Sequence, residues 1–389
     1  MRKFKNQIAL FLLILPLAVF CQRKDDIVIG KKYKIQSLVL NEIREYWIYL
    51  PESYNQSQSK YPVLVLLDGE TYFHSATGVI HFLAMNKLIP EMIVVALPNI
   101  DRTKDLTPSH SDIGPNNEIM KNILSTSGGG DKFLGFISNE LMPIIDKNYR
   151  TDSIKTLVGH SFGGLFAINS LLQNNKCFKA YVAIDPPLWW DSSLLINKLK
   201  NETDSDKLFG QFLFLTSSKE TNIVQQRTSQ VNFYTELSTK HYTSLKSQFQ
   251  TFDDENHASV MLVSLNAGLK YIFNEYNLSD IKSKSISEIK IHYEMLSSKW
   301  NTGILPSEEL LRLAGNDCLE KHDITKAIDF YKLNVLCHPT SSDTYIDLAR
   351  AYQIDSNNDQ AIKNYKLALQ FKPNNKSVKK ILKRKISHK

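Results

Sequence analysis

One run in the 389-residue sequence is arranged for nucleophilic chemistry, Gly159-His160-Ser161-Phe162-Gly163-Gly164. It follows a β-rich apolar stretch, Ile154 to Val158, and leads directly into a helical pattern from Phe162. A serine between strand and helix, flanked by glycines, sits on a turn so tight that its Oγ is exposed at the end of a sheet. The glycines are needed because backbone packs closely on both sides of that turn. A serine hydroxyl is a poor nucleophile unless a base takes its proton, and the base is oriented by a carboxylate. In this setting the chain order is serine, acid, histidine. His257 is the expected base, in the polar loop Asp253-Asp254-Glu255-Asn256-His257-Ala258-Ser259 ahead of a helix from about Val260. Two carboxylates compete as the acid. Glu220, just beyond the strand Phe212 to Leu215, is preferred, and Asp185, ending the strand Ala180 to Ile184, is the alternative. Attack on a carbonyl builds charge on its oxygen, which preorganised N–H groups stabilise. The expected donors are the N–H of Phe162 and that of Glu70, with Gly69 as the fallback, because Val63 to Leu67 runs into Asp68-Gly69-Glu70.

The elements that must position these groups alternate. Tyr46 to Leu50, Pro62 to Leu67, Met92 to Leu97, Ile154 to Val158, Ala180 to Ile184 and Phe212 to Leu215 read as strands. Several are continuous apolar runs, the pattern of strands covered on both faces. Asp131 to Asn148 and Phe162 to Leu172 read as amphipathic helices, the first entered through Gly128-Gly129-Gly130 with Asp131 as N-cap. No Lys-Ser/Thr pair follows the glycine triplet, so it is not a phosphate loop. The expected fold class is therefore α/β, a mostly parallel sheet with helices on both faces. Tyr72, Phe73, His74, Arg102, Trp189 and Trp190 fall on loops after strands, where a pocket should form. Of these, Tyr72, Arg102, Trp189 and Trp190 are the expected substrate-binding residues, Arg102 for an anionic group and the tryptophans for a ring.

The formal charge of +7 belongs to the ends. Residues 1–21 carry +3 and residues 376–389 carry +7, leaving −3 for residues 22–375. A slightly acidic body argues against a nucleic-acid partner. Residues 1–21 combine a basic head with an apolar run from Ile8 to Phe20, too short to span a bilayer, and read as a secretory signal. The protein is expected to be exported, periplasmic or secreted, with a lipoprotein anchored at Cys21 as the alternative. Cys177, Cys318 and Cys337 are too sparse for a disulfide framework. The histidines show no metal-ligand spacing, and neither metal nor cofactor is expected.

Beyond residue 308 the pattern becomes all-helical and repeats. Ala327-Ile328-Asp329-Phe330-Tyr331-Lys332-Leu333 recurs as Ala361-Ile362-Lys363-Asn364-Tyr365-Lys366-Leu367, an offset of 34 residues that also maps Gly315 onto Ala349 and Pro339 onto Pro373. This resembles two tetratricopeptide repeats over residues 308–375. Two copies fall short of the usual three, so they should dock on the other domain, on the segment around Trp300, or on a second chain. The repeats could hold a protein partner or support self-association. Residues 376–389 are expected to form a basic cap helix, with anionic membrane contact as the lesser alternative. The expected organisation is a signal peptide (1–21), an α/β domain (22–280), a linker (281–307), the repeats (308–375) and the cap helix (376–389).

Taken together, Leu66-Leu67-Asp68-Gly69-Glu70, Leu97-Pro98-Asn99, Asp105-Leu106-Thr107-Pro108, residues 159–164, Trp189-Trp190-Asp191 and Glu255-Asn256-His257 resemble the "putative esterase" group of α/β-hydrolases. The resemblance spans about residues 33–275. That group includes esterase D, mycolyltransferases, feruloyl and acetyl-xylan esterases, and esterases that open ferric siderophore trilactones. It implies Ser161 as nucleophile, Glu220 as acid, His257 as base, and Glu70 and Phe162 as oxyanion donors. Asp185 departs from the serine more often found there, which keeps the alternative acid open. The implied activity is hydrolysis of a small or medium ester through an acyl-enzyme, on a siderophore lactone or an acyl or feruloyl sugar. The alternatives are acyl transfer of the mycolyltransferase type and a non-catalytic, repeat-based binding scaffold.

Overall fold

Among its described residues the computed structural model has eight strands, β1 (Lys31–Ser37), β2 (Glu42–Tyr49), β3 (Tyr61–Leu67), β4 (Ile93–Leu97), β5 (Thr151–His160), β6 (Ala180–Ile184), β7 (Phe212–Ser218) and β8 (Lys246–Phe252). They form one sheet in the order β1-β2-β4-β3-β5-β6-β7-β8. β1 and β2 join antiparallel, and from β4 to β8 every pairing is parallel. The structure describes residues 26–55, 58–204, 208, 210–219, 223, 225–240, 242, 245–276, 278, 280–300 and 302–386. The expected signal segment with Cys21 lies outside the described residues, as does Glu220.

Alternation along the strands divides the core between the two faces. All seven residues of β3 are buried. Leu64, Leu66, Val94 and Val158 face one cluster with the helices Gly69–Met85 and Val260–Ile272. Val63, Val65, Leu67, Val95 and Leu157 face the other, against Phe162–Leu172, Trp190–Asn201 and Gln225–Thr239. The expected long helix Asp131–Asn148 is present as one helical run that starts at Gly130 and carries a π turn, Ile137–Leu141, between Gly130–Phe136 and Met142–Asn148. Its N-cap is Gly129 rather than Asp131. The Asp131 carboxylate instead accepts from Asn169 Nδ2 (3.0 Å) and Gln173 Nε2 (2.6 Å).

The segment expected as a linker contains a helix, Ile286–Trp300, whose buried face is Ile289, Tyr293, Leu296 and Trp300. Trp300 stacks on Phe212 of β7 (ring centroids 4.2 Å apart) and on Phe273 (5.6 Å). One hydrophobic cluster therefore runs from the sheet through this helix into Leu311, Ala314 and Tyr331 of the helical region. There, the helices Glu308–Glu320 and Ile324–Cys337 recur 34 residues later as Ser342–Ile354 and Asn358–Phe371. Gly315 shows why the repeated positions need small residues: a Cβ there would lie 2.5 Å from the Tyr331 ring. The final helix, Lys376–Ile386, lays Val378 and Leu382 against Tyr345, Ala361 and Tyr365.

The Trp300 stack ties the helical region to the sheet, and Trp300 is 1% exposed. Trp300→Ala should cost about 3 to 5 kcal/mol. Urea melts should show the loss, and limited proteolysis should cut first between residues 281 and 307.

Candidate active site

β5 runs into Ser161 and the chain turns at once into the helix Phe162–Leu172. Ser161 is held at φ 57°, ψ −120°, a conformation that an L-residue keeps only when its surroundings enforce it. The enforcement is close packing. A Cβ on Gly159 would lie 2.2 Å from the Gly163 carbonyl oxygen, and one on Gly164 3.0 Å from that of Ile184. Ser161 N–H donates to the Ile184 carbonyl at 2.9 Å, so the elbow is locked to the end of β6. Phe162 and Gly69-Glu70 each open a helix, where the first N–H groups have no intrahelical acceptor. Gly69 permits this approach, since a Cβ there would lie 2.8 Å from Leu97 N.

The residue after β6 is Asp185, 0% exposed, with φ 45°. Its Oδ2 lies 2.7 Å from His257 Nδ1 and accepts from Ser218 Oγ at 2.6 Å. Its Oδ1 accepts from Gln230 Nε2 at 2.8 Å and Ser218 N at 3.2 Å. Burial alone would raise this carboxyl, but the hydrogen bonds from His257, Ser218 and Gln230 outweigh it and hold Asp185 below the usual carboxylate range. Ionised Asp185 thus fixes the proton of His257 on Nδ1 and leaves Nε2 to accept one. Ser161, Phe162 and His257 together line a cleft of ≈ 220 Å³. A buried carboxylate, an oriented imidazole and a strained serine on one cleft are able to carry out acyl transfer.

The His257 loop is itself held from behind. His160 Nε2 donates to the His257 carbonyl at 2.6 Å, and its Nδ1 accepts from Tyr72 Oη at 3.0 Å. Burial, and secondarily the neighbouring His257, push His160 down to about 4, so it is neutral at pH 7 with the proton on Nε2. Arg102 donates through Nε and Nη2 to both oxygens of Asp68 (2.6 and 3.0 Å), and through Nη2 to the His160 carbonyl (3.1 Å). Asn99 Nδ2 bridges Asp68 (2.7 Å) and Glu70 (2.8 Å).

A family model described as "Putative esterase" matches residues 37–257. The chain belongs to this esterase family. Ferri-bacillibactin esterase BesA of Bacillus subtilis (strain 168) is 27% identical over 250 residues, which cover 59% of this chain and 86% of that one. A siderophore enterobactin esterase of Emericella nidulans is 25% identical over 259 residues, covering 57% of this chain and 86% of that protein. Among solved structures, an IroE-like serine hydrolase from Shewanella oneidensis superposes with a TM-score of 0.72 at 28% identity, covering 78% of this chain and 98% of the other. The fold is thus an α/β-hydrolase sheet extended by C-terminal helices, and the protein is an ester hydrolase.

Within this esterase the expected acid is corrected. Asp185, not Glu220, takes the Nδ1 position of His257. β6 lies directly beside β5, whereas β7, which leads toward Glu220, is one strand further from Ser161. The expected substrate contacts divide. Trp189 and Trp190 line the cleft, although Trp190 is 1% exposed and bonded to Ser109. Trp189 Nε1 donates to Gln226 Oε1 at 2.8 Å, and Gln226 Nε2 donates to the Asp185 carbonyl at 2.8 Å. Tyr72 lies on the helix Gly69–Met85 and not on a loop; it and Arg102 serve the framework beneath His257. The Glu70 carboxylate is turned to Asn99, accepting from its N–H (3.1 Å) and Nδ2. Sequence reasoning missed His160, Asp68, Gln226 and Gln230. His160 and Asp68 sit inside motifs already noted. The two glutamines, one helical turn apart, carry no such signal. Among the described residues no group of three His, Cys, Asp or Glu side chains is placed to hold a metal ion, and no helix is long and apolar enough to cross a membrane.

Two outcomes follow from this geometry. Asp185→Asn should lower kcat by roughly 10⁴-fold while Glu220→Gln leaves it within about twofold, measured on any turned-over ester. The second concerns His160, whose unfolded form takes its proton near pH 6.5 and whose folded form does so at about 4. Between those values the unfolded state binds more protons, so stability is lost as the pH falls through the window. Glutamine keeps a donor and an acceptor without titrating. Urea melts of His160→Gln should decline less between pH 6.5 and 4 than wild type, by roughly 2 to 3 kcal/mol.

Proposed function

We propose that the chain is a serine esterase working through an acyl-Ser161 intermediate. Ser161 Oγ attacks the ester carbonyl carbon as its proton passes to His257 Nε2. The oxyanion is held by the N–H groups of Phe162 and Glu70, with Gly69 in reserve. Collapse of the tetrahedral adduct breaks the bond to the alcohol oxygen, which leaves with the proton from His257. Water then repeats the sequence against the acyl-enzyme and releases the acid. Asp185 stabilises the imidazolium formed in each half. The observation that carries this reading is the 2.7 Å pair of Asp185 and His257, with His257 on the cleft that Ser161 also lines.

The substrate class that the relatives' names support is a siderophore ester, and an acylated or feruloylated sugar, implied only by the resemblance of the sequence motifs, is the second candidate. For the C-terminal helical hairpins, the small-residue contact at Gly315 and the period of 34 support tetratricopeptide repeats, available to a protein partner or a second copy. The basic head and short apolar run of residues 1–21 support export to the periplasm or medium.

Ser161→Ala is expected to abolish both fluorophosphonate labelling and turnover of p-nitrophenyl esters, read by gel fluorescence and absorbance. Turnover that persists in that variant at the wild-type rate rejects the mechanism.

A further inference from the structure

We infer that the cleft beside Ser161 selects one uncharged, apolar acyl group, a short chain or a single ring, and rejects acyl groups that carry a carboxylate. This rests on the serine-esterase reading and adds its acyl specificity. The acyl group is the part that stays bonded to Ser161 while the alcohol departs, so it must occupy the space that closes on that side chain.

The walls of that space are Met120, Ile123, Leu124, Phe162, Trp189 and Trp190. No lysine or arginine lines it among the described residues. Residues 220–222 and 224, on either side of the lining residue Ile223, are Glu, Thr, Asn and Val, so they add no cation by composition. Two of the polar side chains on the walls are already engaged, Gln226 between Trp189 and Asp185 and Trp190 Nε1 with Ser109, and the Thr103 hydroxyl that also lines the cleft is neutral. The nearby guanidinium of Arg102 is ion-paired to Asp68. A carboxylate entering here would lose water and gain no cationic partner. It would also meet the field of ionised Asp185, 2.7 Å behind His257.

Size points the same way. At ≈ 220 Å³ the cleft is smaller than the roughly 300 Å³ at the low end of drug-sized ligand sites, so it holds a fragment while the rest of a larger ester lies outside. Ile123 stands at its mouth, lining it and yet 65% exposed. Trp189 forms a wall whose ring is pinned by Gln226. These two side chains set the limit.

The test compares p-nitrophenyl butyrate with p-nitrophenyl hemisuccinate, in which a carboxylate replaces the terminal methyl and the leaving group is unchanged. The full chain should favour butyrate in kcat/KM by at least about tenfold. Ile123→Lys, which puts an ammonium at the mouth, should lower that ratio by at least about tenfold, mainly by raising the hemisuccinate rate. A wild-type ratio below about tenfold overturns the inference whatever the variant does, as does an unmoved ratio in a folded Ile123→Lys protein. If a fluorophosphonate labels Ser161 and the ratio is flat, only the specificity falls. If Ser161 neither labels nor turns over either ester, the serine-esterase reading falls and this inference with it.

Discussion

The hydrogen bond between Asp185 and His257 is the contact around which the α/β domain is arranged. It joins the end of β6 to a loop 72 residues later, and it is useful only if the carboxylate stays ionised at 0% exposure. Burying a charge without partners costs several kcal/mol. Three elements supply partners: Ser218 from the end of β7, Gln230 from the helix Gln225–Thr239, and His257 itself. The parallel register that brings Ile184 opposite both His160 and Thr216 brings these groups together. Ser161 N–H and Asp185 N–H are fixed by the same ladder, to Ile184 and Thr216. Strand pairing therefore sets the relative positions of serine and acid before any side chain contributes.

A second layer holds the histidine. The chain from Tyr72 to His160 to the His257 carbonyl, and the Arg102–Asp68 pair beneath it, combine Tyr72 and Arg102, which sequence position alone assigns to a pocket, with His160 and Asp68, to which it gives no role. Arg102 illustrates the distinction: its charge is balanced within the protein by Asp68, 4% exposed, so its first role is to brace the elbow. The ring of His160 lies 4.6 Å from that of His257. Burial keeps His160 neutral, so two imidazoles can lie this close without like-charge repulsion. A protonated His160 would oppose any positive charge placed on His257.

Much of this was legible in the sequence, and the parts that were not share a cause. The six expected strands are present because central strands covered on both faces must be continuous apolar runs. β8, Lys-Ser-Gln-Phe-Gln-Thr-Phe, escaped because it is an edge strand with only partly buried residues, so its apolar pattern is weak. Ser161 and His257 were readable because an elbow and a histidine loop have local signatures. The carboxylate partner of His257 was misassigned because the pairing depends on which strand lies beside β5. That is a property of sheet order and leaves no trace in local sequence. Tyr72 was misplaced because the helix Gly69–Met85 begins directly after β3, where a loop was expected, with Asp68 in a left-handed conformation as its cap.

The helical region answers the question of charge. Two hairpins would be marginal alone, but Trp300 stacks between Phe212 and Phe273 and makes the first hairpin part of the sheet's own core. The basic helix Lys376–Ile386 then closes the far end. Its apolar residues Val378 and Leu382 are buried against the second hairpin. An amphipathic helix binds a bilayer by inserting its apolar face, and here Val378 and Leu382 of that face are already covered. Insertion would require undocking the helix from Tyr345 and Tyr365, while Lys376, Lys379, Lys380 and Lys383 stay exposed on its opposite side.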